Sequence, residues 1–216
     1  FTLDDFDDTT NLTVNNAALV EKNYNDVETY GGRIALGIDL DDNWTVTPQL
    51  IAQQQVSNGQ FLFDPRKGDL KVTDFQPSRS KDRWYQAALT IEGKISNWDL
   101  VYSGGYFQRK TEGTADYSYY SVAYDSYGYY ATFFPNPAGG FFDPSQFFVP
   151  SDALTKQTHE LRVSSPSDKK LRVTAGLFDQ RQTDNVKANS RIPGVSLSGA
   201  TNFCPATFPA STGDPD

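Results

Sequence analysis

The residues best suited to bind a ligand lie in one segment rich in aromatic rings, between Tyr117 and Phe148. The tyrosines of this segment that we single out are Tyr117, Tyr119, Tyr120, Tyr124, Tyr127, Tyr129 and Tyr130. A tyrosine ring offers a large contact area at low cost in conformational entropy, and its hydroxyl adds a hydrogen bond. These properties suit the capture of sugars, aromatic chelators or porphyrins. The same rings could instead pack on one another and order a long loop.

A second group of candidate residues is polar and alternates with apolar residues along the chain. It comprises Arg33, Gln53, Gln55, Glu92, Lys94, Arg109, Glu160 and Arg162. If the strands that carry these residues enclose a lumen, the side chains could line a substrate path or hydrogen-bond to an internal plug. Because barrel interiors are polar by default, we favour contact with a plug.

Residues suited to catalysis or metal binding do not occur in productive combinations. His159 stands next to Glu160 but forms no HExxH motif, and a second histidine for a zinc site is missing. Cys204 lies in a proline-rich stretch without a neighbouring base. The acidic residues near the start lack the spacing of a calcium loop; they are Asp4, Asp5, Asp7 and Asp8. We expect no enzyme, no catalytic residue, no metal site and no cofactor.

The composition narrows the class of protein further. The chain has 216 residues and a formal charge of -8, which argues against nucleic acid as a partner. Only 38% of the residues are hydrophobic, yet 14% are aromatic, which is too many large rings for a disordered chain. No stretch reaches the roughly 18 consecutive apolar residues of a transmembrane helix. These values indicate a folded chain without a conventional core.

The elements that must position these residues are strands, because apolar residues recur with a period of two. The pattern predicts three hairpins: residues 30–56 with a turn at 41–43, residues 85–109 with a turn at 96–97, and residues 158–180 with a turn at 166–170. The connections between hairpins are long, from about 57 to 83, from about 111 to 157, and from 183 onward. Short turns at one end and long loops at the other are typical of an outer-membrane β-barrel.

A soluble β-sandwich would show the same alternation, so the placement of the rings decides between the two. Trp44 and Trp98 lie beside short turns, whereas Tyr30, Tyr85 and Tyr106 lie at the opposite strand ends on the same face. From Tyr85 to Ile95 the strand spans roughly 25 Å along the membrane normal at a tilt of about 40°. An apolar band of this height between aromatic belts favours a transmembrane barrel. Pro48, in mid-strand, predicts a bulge or weak pairing.

Four stretches resemble TonB-dependent outer-membrane receptors, in particular those of sphingomonad-like bacteria. They are YGGRIALGIDLDDNWTVTPQLIAQQQ (30–55), FDPRKGDLKVTDF (63–75), RWYQAALTIEGKISNWDLVYSGGYFQRK (83–110) and KQTHELRVSSPSDKKLRVTAGLFDQRQ (156–182). The resemblance implies a barrel of about 22 strands that is filled by an N-terminal plug. The chain contains no plausible plug or TonB box, and its strands are too few to close that barrel. We therefore expect residues 1–216 to be a partial barrel domain of about six strands from a longer polypeptide.

The function that the resemblance implies is energy-dependent uptake of a scarce nutrient: a siderophore, a glycan, a cobalamin or an aromatic compound. The protein would lie in the cell outer membrane and contact lipid and lipopolysaccharide. A TonB–ExbB–ExbD complex would energise it through the plug, and a small molecule or glycan would be its ligand. Two alternatives stay open, a passive outer-membrane porin and a soluble carbohydrate-binding β-domain.

Overall fold

The computed structural model describes residues 2–4, 13–63, 65–120 and 145–192, and most of these residues are in β-strands. Two short strands, β1 (Thr2–Asp4) and β2 (Thr13–Asn15), pair with each other. Seven strands form one antiparallel sheet: β3 (Val27–Ala35), β4 (Ile38–Asp41), β5 (Trp44–Asn58), β6 (Arg79–Ile95), β7 (Trp98–Asp116), β8 (Phe147–Ser164) and β9 (Thr174–Arg191). Helical structure is limited to short turns, among them Ala17–Leu19 and Pro65–Lys67.

The sheet is an up-and-down meander. Its strand order is β3-β5-β6-β7-β8-β9, with β4 pairing to β5 beyond the end of β3. Within the described residues, β3 and β9 are edge strands that do not pair with each other, so the sheet is open. The antiparallel class expected from the alternation is therefore confirmed. Among the described residues, no helix is long and apolar enough to cross a membrane.

The three hairpins expected from the sequence are present, with their short connections at one end of the sheet. A turn at 42–43 joins β4 to β5, a turn at 96–97 joins β6 to β7, and residues 165–173 join β8 to β9. The strand ends that the long connections join lie at the other end: Asn58 and Arg79 for residues 59–78, and Asp116 and Phe147 for residues 117–146. We call the two ends the turn end and the loop end.

Register brings the apolar side chains of neighbouring strands onto one face of the sheet. Directly paired residues of an antiparallel sheet lie on the same face. One row across the sheet consists of Ile38, Val46, Ile91, Tyr102, Leu161 and Leu177, each paired with the next. The face that carries this row is called the apolar face, and the opposite one the polar face. A slip of one residue in any strand would have mixed the two faces.

Most strands are longer than the sequence pattern predicts, chiefly at the loop end. β6 begins at Arg79 instead of Tyr85, and β8 begins at Phe147 instead of Thr158. β7 continues to Asp116 and β9 to Arg191, beyond the predicted ends at 109 and 180. The predicted ends were wrong because apolar residues alternate only where one face of a strand meets apolar surroundings. Hydrogen bonds between strands form in polar surroundings as well, so the strands extend beyond the alternation. At the turn end, β9 begins at Thr174, three residues after the predicted strand start at Leu171.

Pro48 coincides with an interruption in the neighbouring strand, as its missing N–H predicts. β3 ends at Ala35, opposite Gln49, and β4 begins at Ile38, opposite Val46. The backbone N–H of Leu36, between the two strands, donates to the carbonyl oxygen of Pro48 at 3.1 Å. The proline therefore divides one edge strand into two without separating it from the sheet.

Neither face of the sheet is covered by a second layer in the described part of the chain. Phe75, at 6% exposure, is the one hydrophobic residue there that is buried. On the apolar face Ile34, Leu161 and Leu177 are exposed, the last to 76%. The second long-stranded sheet that a sandwich needs is absent from the described ranges, whose only other strands are β1 and β2. A single sheet with one apolar face requires a covering layer of some kind.

Candidate ligand-binding surface, loop cap and polar face

The described tyrosines of the aromatic segment lie just beyond the loop end of β7. A helical turn begins at Ser118, and the rings of Tyr117 and Tyr120 contact each other at a tilt of 35° with centroids 4.8 Å apart. Tyr117 also contacts the ring of Phe148 at the start of β8, at 6.3 Å. These ring contacts thus link the end of β7 to the start of β8.

Tyr119 links the aromatic segment to the other long connection. Its ring meets Phe75 edge to face at 6.2 Å, and its hydroxyl shares a hydrogen bond with the hydroxyl of Thr73. Tyr117, Tyr119 and Tyr120 are nevertheless 46%, 45% and 42% exposed. These three rings pack within the protein and keep a surface that a ligand can reach. Tyr124, Tyr127, Tyr129 and Tyr130 lie outside the described residues.

Beneath these rings lies a buried polar cluster, which the sequence analysis missed. We call it the loop cap; its members are Asp74, Phe75, Ser78, Asp116, Ser118, Ser145 and Gln146. Ser118 is completely buried, and its hydroxyl donates to Asp116 Oδ1 at 2.6 Å. The same hydroxyl accepts the backbone N–H of Gln146 at 3.2 Å. One serine therefore joins the end of β7 to the start of β8.

The cap also holds the 59–78 connection against the ends of the strands. The Phe75 N–H donates to Asp116 Oδ2 at 3.2 Å, and the Asp116 N–H donates to Ser78 Oγ at 3.0 Å. The side chain of Gln76 donates to Ser145 Oγ at 2.8 Å. Because both long connections bond to the same strand ends, the cap fixes them relative to each other at the loop end.

Burial raises the pKa of both carboxyls in the cap. The pKa of Asp116 is raised by desolvation, although hydrogen bonds from Ser118 and Phe75 oppose the shift. The pKa of Asp74 is raised by desolvation and further by the charge of Asp116. The phenol of nearby Tyr24 also has a raised pKa, first from burial and then from Asp74. The tyrosine ring packs so closely against Gly59 that a Cβ there would lie 2.7 Å from Tyr24 Cε2, and the φ of 76° separately disfavours a side chain.

All eight polar residues singled out in the sequence lie on the polar face. Arg33 lies opposite Ile51, which alternates with Gln53 and Gln55 on that face. The same parity continues across the sheet through the paired rows Gln55–Asp82, Glu92–Val101 and Val101–Arg162, and it includes Lys94, Arg109 and Glu160. Register therefore brings the whole group onto one surface. The use of that surface as a lumen lining stays a prediction.

The shortest ion pair on the polar face, among the described residues, joins Arg109 to Asp82. Its Nη2 lies 2.6 Å from Asp82 Oδ2, and its Nε lies 3.0 Å from Oδ1, a two-bond geometry. Beside this pair the rings of Trp84 and Phe107 meet at 5.9 Å on the same face. Trp84 lies outside the apolar alternation of β6, so the sequence pattern does not indicate it as a site residue.

His159 lies on the apolar face, as its position in the alternation predicts. It is paired with Gly104, and its Nδ1 lies 2.8 Å from the hydroxyl of Tyr102. The two rings stack with centroids 6.2 Å apart. The Tyr102 hydroxyl and His159 Nδ1 therefore serve as hydrogen-bond partners on the apolar face. Within the described ranges no three His, Cys, Asp or Glu side chains are grouped to hold a metal ion.

The class that this geometry defines is an all-β protein with one open, antiparallel meander and long connections at one end. In comparisons with known proteins, no family model matches the chain, and no curated protein matches it.

Proposed function

We propose that this chain is part of the wall of an outer-membrane β-barrel receptor that takes up a scarce nutrient by TonB-dependent transport. In this proposal the apolar face contacts membrane lipid, the polar face lines the lumen and contacts a plug, and the loop end is extracellular. The observation that carries the proposal is the uncovered apolar face. It is bounded by Trp44 and Trp98 at the turn end and by Tyr30, Tyr85 and Tyr106 at the loop end.

A bilayer is the covering layer that fits this face best. Its apolar rows run along β6 from Tyr85 to Ile95 and along β7 from Trp98 to Tyr106. At roughly 3.3 Å per residue and a tilt near 40°, the β6 rows cover roughly 25 Å of membrane thickness. Beyond Trp84 and Phe107 the strands continue toward the loop end with polar residues on both faces. Those extensions would stand above the membrane and carry the aromatic surface toward the ligand.

Site-specific labelling tests the membrane placement. In the intact protein with Cys204→Ser, single cysteines at Leu50, Leu161, Gln53 and Glu160 are labelled with a fluorophore in lipid vesicles. Lipids that carry a nitroxide on the acyl chain should quench the label at the first two positions and spare the other two. Equal quenching on both faces, or a stable monomer without detergent as expected of a soluble carbohydrate-binding domain, would overturn the proposal.

Receptor and porin differ in energy coupling. The four stretches that resemble TonB-dependent receptors favour the receptor. A receptor should lose uptake of its nutrient when the proton gradient is collapsed or the TonB partner is deleted, whereas a porin should keep it. Candidate nutrients for this measurement are siderophores, glycans, cobalamins and aromatic compounds.

The aromatic segment is the proposed extracellular capture surface. We expect Tyr124→Ala combined with Tyr127→Ala to weaken uptake while the barrel still assembles, because stacking area is lost without a change in the strands. Assembly is checked by the gel mobility shift of the folded barrel. Unchanged ligand affinity in the double variant would remove this segment from the site.

A further inference from the structure

A depression lies on the apolar face between the rings of Tyr30 and Tyr85. Its volume is about 560 Å³. Register places Gly32 opposite Ala52 and Ala52 opposite Tyr85, so two small residues form the floor between the rings. A Cβ added to Gly32 would meet no atom within 4 Å, so the floor has room above it. The depression is thus a cavity with aromatic walls at the loop-end border of the apolar band.

The turn side of the depression is continuous with the apolar band. The next row of the same face consists of Ile34, Leu50 and Ala87, paired in that order across β3, β5 and β6. Ile34 and Leu50 are both exposed. A hydrocarbon chain that enters the depression can therefore continue along apolar side chains toward the middle of the band without meeting a polar group.

The loop side of the depression is cationic. Arg83 and Lys110 line it and are directly paired across β6 and β7. Arg83 lies two residues beyond Tyr85, which is roughly 7 Å along the strand. This step takes the side chain from the aromatic belt to the level of lipid headgroups.

Positive charge is in excess at this side although the whole chain carries -8. Glu112 Oε1 is 2.7 Å from Lys110 Nζ and 3.5 Å from Arg83 Nη2. Lys81 lies directly opposite the same glutamate in the strand register. Three cations therefore share one carboxylate. Glu28, whose carboxylate lies 3.5 Å from the Tyr30 hydroxyl, adds a second negative charge nearby. Two carboxylates against three cations still leave one positive charge uncompensated.

We propose that the depression binds one membrane lipid with an anionic headgroup. Its acyl chain lies between Tyr30 and Tyr85, and its headgroup is held by Arg83 and Lys110. An apolar cavity that opens onto the band and ends at paired cations matches both halves of such a molecule. The inference rests on the proposed function, since it requires the apolar face to be in the membrane.

Native mass spectrometry of the intact protein in detergent tests the site with two probes, dimyristoylphosphatidylglycerol and dimyristoylphosphatidylcholine. The two lipids have the same acyl chains and differ in headgroup charge. We expect the wild type to retain the phosphatidylglycerol about tenfold better, because each nearby cation favours an anionic headgroup severalfold. Arg83→Gln with Lys110→Gln should bring the ratio of the two lipids close to one. Gly32→Phe, which fills the depression, should reduce the retention of both.

A matched control removes two positive charges elsewhere. Lys71→Gln with Lys156→Gln should leave the lipid ratio as in the wild type. An unchanged ratio in the Arg83 and Lys110 variant overturns the lipid site, as does displacement of the lipid by an equal concentration of inorganic phosphate. The nitroxide experiment separates the two failures: if Leu161 is not quenched, the membrane placement fails, and if it is quenched while the ratio stays unchanged, only the lipid site fails.

Discussion

The turn-end half of the sheet and its loop-end half are built from the same strands but differ in what surrounds them. In the turn-end half, apolar and polar residues alternate, and register gathers most of the apolar ones on one face, with Ile51 and Val101 as exceptions on the polar face. In the loop-end half, β6 to β9 continue to pair in the same register, but the alternation stops. β8 shows the contrast within one strand, since His159, Leu161 and Val163 alternate with polar residues whereas Ser151, Ala153 and Thr155 do not form an apolar face.

This difference shows that the alternation reports the environment of a strand and not its extent. Backbone pairing between β7 and β8 continues through Glu112 and Ser151, where both faces are polar. Hydrogen bonds between strands are independent of side-chain polarity, so a strand can leave an apolar layer without ending. The loop-end half is held together by its ladder and by the loop cap, and the turn-end half depends on whatever covers its apolar face.

The comparison is tested most strongly by placing a charge on the apolar face of each half. Leu161→Arg puts a charge within the band, and Ala153→Arg puts the same charge on the same face of β8 near the loop end. In lipid vesicles we expect Leu161→Arg to lower the free energy of unfolding by about 2–4 kcal/mol, because a charge at the bilayer centre must be desolvated. Ala153→Arg should change it by less than about 0.5 kcal/mol.

Urea titration of the intact protein, followed by its gel mobility shift, measures both variants. Equal losses in the two variants would mean that the two halves share one environment, and the membrane band would then be wrong. A loss confined to Leu161→Arg supports the border between the halves at the level of Tyr85 and Tyr106.

A second, smaller effect is expected within the turn-end half from Gly93. A Cβ at this position would overlap the indole of Trp44, which lies across the glycine on the paired strand. Gly93→Ala should therefore displace the ring and cost about 1–3 kcal/mol of unfolding free energy. Gly32→Ala is the matched control, since its added methyl meets nothing within 4 Å. If both glycines tolerate alanine equally, Trp44 does not need the space above Gly93.

The same division explains how much of the molecule the sequence could predict. The hairpins, the turn positions and the shared face of Arg33, Glu92 and Arg162 follow from period-two alternation, which is a local signal. The loop cap could not be found in this way, because Asp74, Asp116 and Gln146 are far apart in the chain and are brought together only by the completed ladder. The sequence around Asp116 shows no apolar alternation, because both faces of β7 are polar there.

In the loop-end half, Ser118 offers a test of the cap alone. Ser118→Ala removes the hydroxyl that bonds to Asp116 and Gln146, both in buried surroundings. We expect a local loss of about 1–2 kcal/mol, since a buried carboxylate oxygen and a buried N–H lose a partner. Hydrogen exchange should accelerate at residues 74–78 and 116–118 and stay unchanged at residues 87–95. Faster exchange throughout β6 would show that the cap and the band unfold as one unit.

The smallest expected effect is the pH dependence of the cap. The pKa values of Asp74 and Asp116 are raised by desolvation, and that of Asp74 also by its neighbour. A carboxyl with a raised pKa in the folded state binds its proton more tightly there, so the cap is most stable below the unfolded pKa of about 3.9. That stability is lost as the pH rises through the folded pKa values.

Hydrogen exchange at residues 72–78, corrected for intrinsic rates, should therefore show a cap that opens more readily at pH 7 than at pH 4. Asp74→Asn should flatten this dependence because it removes one charge of the pair, while Asp168→Asn in the exposed 165–173 turn should not. A wild-type cap that becomes better protected as the pH rises would contradict the repulsion between the two carboxylates.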